Sequence, residues 1–385
     1  MNPFYMKFFV TTTIPETLIF YAGQMGMWNK HFEVCAISSK EQMLKQFGRE
    51  VGVRTEFIDM AREPSPLKDA KSLWRFIKLF RKERPEIVHG GTPKASMLSM
   101  LAAWITRRPI RIYMCHGLRF EAFSGFKRKF LIFMEWLTCR CATDVICVSF
   151  GARNGLVATG ACPNKKARVV GHGSPCGINL SRYSQPSDFQ KDSFRKSINI
   201  APCDFVFIFI GRIVRDKGVN ELISAFNRLH ARYNDVQLIV LGQFNDYNAV
   251  DESTRHEIET NPNIRYMGQQ RDIRPYVMAS DVLVLPSYRE GLSTVLVEAG
   301  AMSMPAITCD VTGCNEIIED GKNGLLIEPR NEDALYDAME KMYTHRTRLP
   351  EIGKEARKLV AERYEESVVW NNYLTEFLKL KERLQ

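Results

Sequence analysis

The sequence predicts a two-domain α/β protein in which two doubly wound, Rossmann-like parallel sheets face one another across a cleft. Three observations predict it. Short β-branched or aromatic runs alternate with amphipathic helical stretches along the whole chain, the pattern of βαβ units. That pattern restarts after residue 200. A length of 385 residues also exceeds what a single hydrophobic core sustains.

In the first half the strand candidates are Tyr5–Val10, Phe32–Ser38, Arg54–Ile58, Ile87–His89, Ile110–Met114 and Val145–Val148. Leu67–Arg84 has helical spacing, with Leu73, Ile77 and Leu79 set among Lys71, Arg75, Lys78, Arg81 and Lys82. In the second half Phe205–Ile210, Val236–Leu241, Ile264–Met267, Val282–Leu285 and Ala306–Thr308 read as strands, with helices starting near Lys217, Ser293 and Glu332. The stretch Gly171–Phe194, with its Gly, Ser and Pro clusters, reads as a linker. It divides the chain into a lobe of residues 1–180 and a lobe of residues 181–365. Residues 366–385 carry Trp370, Tyr373, Phe377 and Leu380 at helical spacing and form a final helix that docks on a lobe.

A composition of 45% hydrophobic and 25% charged residues excludes a disordered, fibrous or small disulfide-stapled chain. The net charge of +9 is uneven: residues 1–200 carry +16 and the remainder −7. The first half therefore suits an anionic partner, and charge alone does not choose among nucleic acid, phospholipid and phosphorylated substrate. Ten cysteines are present, the closest pair being Cys139 and Cys141, with no C-x-x-C and no zinc-type Cys/His ladder. They read as free thiols of a reducing cytoplasm. The N-terminus has no signal-peptide h-region of useful length. The longest apolar stretch, Ala95–Thr106, falls short of the ~20 residues a membrane span needs.

The chemistry concentrates after two strands of the second half. Pro286-Ser-Tyr-Arg-Glu-Gly-Leu-Ser-Thr runs from a strand through a loop into a helix, with Glu290 on the loop and Glu298 about one turn inside the helix. Gly291 lets backbone approach a ligand, and the amides of Leu292, Ser293 and Thr294 would point outward at a positive helix end, a natural anion site. Taken alone, the two glutamates also fit a helix cap and a solvated face. Gly211-Arg-Ile-Val-Arg-Asp-Lys217 follows the strand Phe205–Ile210 and places Arg212 and Lys217 where they could neutralise a diphosphate. Solvated loop charges would look the same in isolation.

As a set, the G-R-x-x-x-x-K of Gly211–Lys217, the E-x7-E of Glu290–Glu298, the loop Thr312-Gly-Cys-Asn-Glu and the turn Asp320-Gly-Lys-Asn-Gly-Leu-Leu resemble glycosyltransferase family 4, retaining enzymes of the two-Rossmann-lobe GT-B fold. The resemblance is dense in the C-terminal half and thin in the N-terminal half. It implies that Glu298 takes the ribose hydroxyls of a nucleotide and that Glu290, a catalytic residue, sits near the donor-sugar hydroxyls. Arg212 and Lys217 would hold the diphosphate with backbone from Gly291, Leu292, Ser293 and Thr294, and the base would lie against Tyr266–Arg271 and the loop after Leu241. In the N-terminal half His116, directly after the strand Ile110–Met114, would be the catalytic histidine that contacts the donor sugar. His89, Gly90 and Gly91, after the preceding strand, would line the acceptor side. The family's glycine-bearing loop after the first strand is replaced here by Thr11–Pro15. In this fold the final helix often crosses back to the first lobe.

The family's chemistry retains anomeric configuration by same-face attack without a protein nucleophile. No Asp-x-Asp motif accompanies these segments, so no metal and no cofactor is implied, the UDP-sugar being a substrate. The surroundings of the motifs, with Gly173-Ser-Pro-Cys-Gly-Ile-Asn179-Leu-Ser-Arg-Tyr183, look like bacterial transferases of capsule, O-antigen and N-glycan assembly. These commonly move an N-acetylhexosamine from a UDP-sugar to a saccharide on a polyprenyl diphosphate. Asn179 departs from the Asp more usual in that pattern.

Such an acceptor would account for the basic half. Arg119–Leu137 interleaves cations with five phenylalanines and Trp136, and fits an interfacial membrane helix as well as it fits a core helix with solvated cations. The expected location is cytoplasmic, peripheral at the inner face of the cytoplasmic membrane. Two rivals remain: a two-lobed UDP-sugar epimerase, and a non-catalytic sugar-nucleotide-binding protein. Nucleic-acid binding lacks any helix-turn-helix, zinc-finger or RNA-binding signature.

Overall fold

The computed structural model describes residues 5–63, 65–183 and 188–384, with backbone alone for 188 and 189. Residues 184–187 of the expected linker lie outside the described residues. The chain divides into two compact units, one running to Gly177 and including Ser367–Gln385, the other Ile178–Glu366.

The first unit is a seven-stranded parallel sheet of β1 (Lys7–Thr11), β2 (Glu33–Ser38), β3 (Arg54–Phe57), β4 (Ile87–Gly90), β5 (Ile110–Cys115), β6 (Asp144–Cys147) and β7 (Ala167–Val169). Its order is β3-β2-β1-β4-β5-β6-β7, so the winding reverses between β1 and β4. The second unit has six parallel strands: β8 (Phe205–Ile210), β9 (Val236–Leu241), β10 (Ile264–Tyr266), β11 (Val282–Leu285), β12 (Ala306–Cys309) and β13 (Gly324–Ile327). Its order is β10-β9-β8-β11-β12-β13, with the reversal between β8 and β11. Ligands of such sheets bind outside the carboxyl ends of the strands at that reversal.

These runs become strands because both faces are covered. All six residues of β8 (FVFIFI) and all four of β11 (VLVL) are buried, as parallel strands under helices on both faces must be. Two strands escape the sequence pattern. β7 has three residues behind Lys165 and Lys166, and β13 grows directly out of the Asp320–Leu326 turn, so neither offers an apolar run of ordinary strand length.

Along the first unit the helices are α1 (Ala22–Trp28), α2 (Glu41–Val51), α3 (Pro66–Glu83), α4 (Pro93–Ile105), α5 (Gly125–Cys141) and α6 (Phe150–Ala158). The final helix, Glu366–Glu382, packs on this unit. Trp370 Nε1 donates to the Cys176 carbonyl at 2.7 Å, the Tyr373 hydroxyl donates to the Ser174 carbonyl at 3.0 Å, and Phe377 lies edge-on to Phe8 and Trp28. Among the described residues no helix is long and apolar enough to cross a membrane.

Candidate functional site

In the second unit the loops after β8 and β11 are joined into one surface. The Asp216 carbonyl accepts from the Tyr288 amide at 2.9 Å and from Ser287 Oγ at 3.3 Å, while its carboxylate pairs with Arg289 at 2.7 Å. Asp216 therefore fixes the spacing of two loops whose sequence motifs are some seventy residues apart. Gly218 completes the junction, because a Cβ there would come 2.1 Å from the Pro286 carbonyl.

The junction brings Lys217 and Glu290 together. Lys217 Nζ is ion-paired with Glu290 Oε1, with the two side chains 14% and 15% exposed. Arg212, on the same loop, is exposed and pairs with no carboxylate among the described residues. A short loop anchored by buried Ile213 and Val214 thus presents one restrained and one unrestrained cation.

A helix, Thr294–Ala301, starts where the sequence expected it, with Ser293 as its N-cap: Ser293 Oγ accepts from the Leu296 amide. One expectation needs correction. The Ser293 amide does not point outward as a free anion donor, since it donates to the Gly313 carbonyl at 3.0 Å. The loop Thr312–Glu316 explains this. Gly313 has φ +76°, and a Cβ there would stand 2.6 Å from the Gly291 carbonyl oxygen, so its backbone lies directly against Gly291 and Leu292. The amides of Leu292 and Thr294 have no acceptor among the described residues and are the ones left for an anion.

Glu298, in the first turns of that helix, accepts a 2.8 Å hydrogen bond from the Tyr183 hydroxyl. Burial raises the Glu298 carboxyl above its ordinary range, partly offset by that bond. Burial and the neighbouring carboxylate likewise raise the Tyr183 phenol, which keeps it a donor. Tyr183 and Asp216 stand inside the motif segments, but the sequence assigned neither a role, because each acts through a partner distant in the chain. The loops toward the expected base contact are tied by the Gly242 amide donating to the Gly268 carbonyl at 2.9 Å.

Two further motif residues prove structural. Asn179 Nδ2 donates to Glu366 Oε1 at 2.6 Å, so an aspartate there would face a carboxylate; that accounts for the amide. Asn323 is buried and closes the turn before β13 by accepting from the Glu319 amide and donating to the Ile317 carbonyl.

In the first unit His116 follows β5, half-buried, and its Nε2 lies 2.6 Å from the Tyr21 hydroxyl. Burial lowers its pKa to about 4. His89 is not on a surface: it is 1% exposed, among the rings of Phe8, Tyr21, Trp28 and Phe377. Burial holds its pKa down to about 3, with His116 nearby adding to the effect. Gly90 is buried against Ser96 at the start of α4, and Gly91 against Tyr21 and Thr12. The threonines that replace the family's glycine loop are tied by hydroxyls, Thr13 Oγ1 to Thr92 Oγ1 at 2.8 Å. Among the described residues no group of three or more His, Cys, Asp or Glu side chains is placed to hold a metal ion.

The model of "Glycosyltransferase Family 4" matches residues 27–182, and that of "Glycosyl transferases group 1" matches residues 190–359. The chain is 33% identical over 365 residues to the capsular polysaccharide biosynthesis glycosyltransferase CapM of Staphylococcus aureus, covering 94% of each. It is 26% identical to the UDP-Gal:alpha-D-GlcNAc-diphosphoundecaprenol alpha-1,3-galactosyltransferase of Escherichia coli, over 82% of this chain and 81% of that one. In fold it resembles HepE of Anabaena in complex with UDP-glucose, with a TM-score of 0.81, 19% identity, and coverage of 97% of this chain and 100% of that one. Family models over both halves and a relative matching nearly end to end make this chain a member of the family 4 glycosyltransferases, with the GT-B fold.

Proposed function

We propose that this glycosyltransferase moves an N-acetylhexosamine from a UDP-sugar to a polyprenyl-diphosphate-linked saccharide in surface polysaccharide synthesis, with retention of anomeric configuration. The observation that carries the donor half is the ion pair of Lys217 and Glu290, with the free amides of Leu292 and Thr294 and with Glu298 on the helix that follows the same loop. A departing nucleoside diphosphate gathers charge on its β-phosphate, and fixed cations and amides stabilise that charge more in the transition state than in the ground state. Arg212 and Lys217 supply the cations. Glu298, its second oxygen uncommitted to Tyr183, takes the ribose hydroxyls. Glu290 and His116 contact the donor sugar. The anomeric carbon–phosphate bond breaks as the acceptor oxygen attacks the same face, and the acceptor proton passes to the departing phosphate, so no protein nucleophile is needed.

The acceptor half is supported by the names of relatives that act on diphosphoundecaprenol-linked sugars, in Escherichia coli and in Campylobacter jejuni, the latter 24% identical over 89% of this chain. It is also supported by one face of the first unit. Phe126, Phe130, Phe133 and Trp136 form a stripe on α5 and are 43–84% exposed, beside exposed Lys127, Arg128 and Lys129. Trp104 on α4, which packs against α5, and Trp74 on α3, which packs against α4, are exposed as well. Exposed indoles and cations suit an anionic membrane interface at the cytoplasmic side. Proton NMR of the product tests the chemistry: a newly formed linkage with the anomeric configuration of the donor is expected, and an inverted linkage contradicts the mechanism.

A further inference from the structure

We propose that Tyr21 is a positioning residue for sugar transfer: its hydroxyl donates to His116 Nε2, fixes the ring with its proton on Nδ1, and so presents an Nδ1–H donor beyond the carboxyl end of β5. The inference rests on the reading of His116 as a donor-sugar contact.

Tyr21 ends a short 3-10 helix, Pro15–Tyr21, that leaves the β1 loop. It is 2% exposed, and its hydroxyl meets His116 Nε2 at 2.6 Å, a short distance for a neutral pair. Burial keeps the phenol protonated, and among the described residues the Tyr21 hydroxyl has no other hydrogen-bond partner, so its proton goes to His116 Nε2. A neutral imidazole has one N–H and one lone pair. If Nε2 accepts, the proton lies on Nδ1. This pairing thus selects one tautomer, and does so with a side chain that is almost wholly buried.

The tyrosine is itself fixed from behind. The His89 ring stands edge-on to it, with centroids 5.3 Å apart at 79°, and Trp28 packs at 6.5 Å. A Cβ on Gly91 would lie 3.0 Å from the ring and 3.1 Å from the hydroxyl, close enough to shift the tyrosine by a few tenths of an ångström. His89, Gly91 and His116, three residues that the sequence set on two separate loops, therefore converge on one side chain that the sequence did not single out. His89 and Gly91 act through Tyr21, and Tyr21 acts through His116.

The test uses the full-length enzyme with 15N-labelled histidine. In the wild type at neutral pH, the His116 ring nitrogens should report a protonated Nδ1 and an unprotonated Nε2; a protonated Nε2 overturns the proposal without any variant. Y21F removes the hydroxyl alone. It should leave KM for the UDP-sugar within about twofold, lower kcat roughly three- to tenfold, and let His116 populate both tautomers. Combined with H116A, Y21F should cost nothing further, because its effect passes through that ring. A Y21F enzyme with wild-type kcat beside a slow H116A sinks the role of Tyr21 while leaving that of His116 standing. An H116A enzyme at the wild-type rate removes the reading on which the inference rests.

Discussion

Lys217 Nζ and Glu290 Oε1 form an ion pair that joins the end of the β8 loop to the loop after β11, with both side chains largely withdrawn from water. Each charge is then the other's main counter-ion. Removing one strands the other in a partly desolvated place. Lys217→Ala should lower kcat/KM by about 10²- to 10³-fold, the usual cost of losing one preorganised charge at a developing oxyanion. It should also destabilise the protein by about 1–3 kcal/mol. The double variant Lys217→Met with Glu290→Gln should regain most of that stability, since two neutral side chains need no pairing, and regain no activity. Calorimetry beside initial-rate assays reads both; a double variant that regains turnover contradicts the assignment.

Glu298 separates binding from stability. Its folded pKa is raised above the ordinary 4.5 by burial, so folding favours its protonated form. That contribution is present in full below the unfolded value and is lost as pH rises through the folded one. Glu298→Gln should therefore be neutral or stabilising at pH 7 while weakening UDP binding about ten- to a hundredfold, because ribose hydroxyls lose a charged acceptor. Titration calorimetry with UDP and thermal melts at pH 4 and pH 7 check this. Unchanged UDP affinity would dismiss the ribose contact.

Two buried histidines of the first unit, His89 and His116, contribute to its acid limb. Burial depresses His89 to about 3 and His116 to about 4, so both are neutral when folded and charge readily only when unfolded, near 6.5. The stability they contribute is complete above about pH 6.5 and is lost as pH falls toward 4. His89→Phe should flatten that decline by about one proton, roughly 1.4 kcal/mol per pH unit, in denaturant melts between pH 6.5 and 4.5. An unchanged slope would mean that His89 is protonated in the fold.

The exposed stripe of α5 predicts membrane binding with two separable parts. Replacing Lys127, Arg128 and Lys129 by Ala should reduce sedimentation with anionic liposomes by about 3 kcal/mol in total at low salt, roughly 1 per cation. Replacing Phe126 and Phe130 by Ser should weaken binding to neutral vesicles too. Unchanged sedimentation of both variants would sink the interfacial role.

How far the sequence reached depended on what each feature needed. The strands Phe205–Ile210, Val236–Leu241 and Val282–Leu285 were legible to the residue, because buried parallel strands are continuous apolar runs. β7 and β13 were not, being short edge strands whose pairing, and not their composition, makes them strands. The helix start at Thr294 was legible from Ser293, whereas the use of the Ser293 amide by Gly313 was not, since that contact is made by residues twenty apart. The contacts of Tyr21, Tyr183 and Asp216 escaped for the same reason, although the last two stand inside motif segments: each makes a hydrogen bond to a distant loop or helix, and no local spacing announces it.

Sugar transfer itself is measured by incubating the protein with a panel of UDP- and GDP-sugars and a polyprenyl-diphosphate-linked saccharide, and following product mass. The expected product is an acceptor heavier by one N-acetylhexosamine with UDP released in equal amount, from a UDP-sugar and from no GDP-sugar. An acceptor left unmodified by every UDP-N-acetylhexosamine, or extended from a GDP-sugar, would contradict the proposed function.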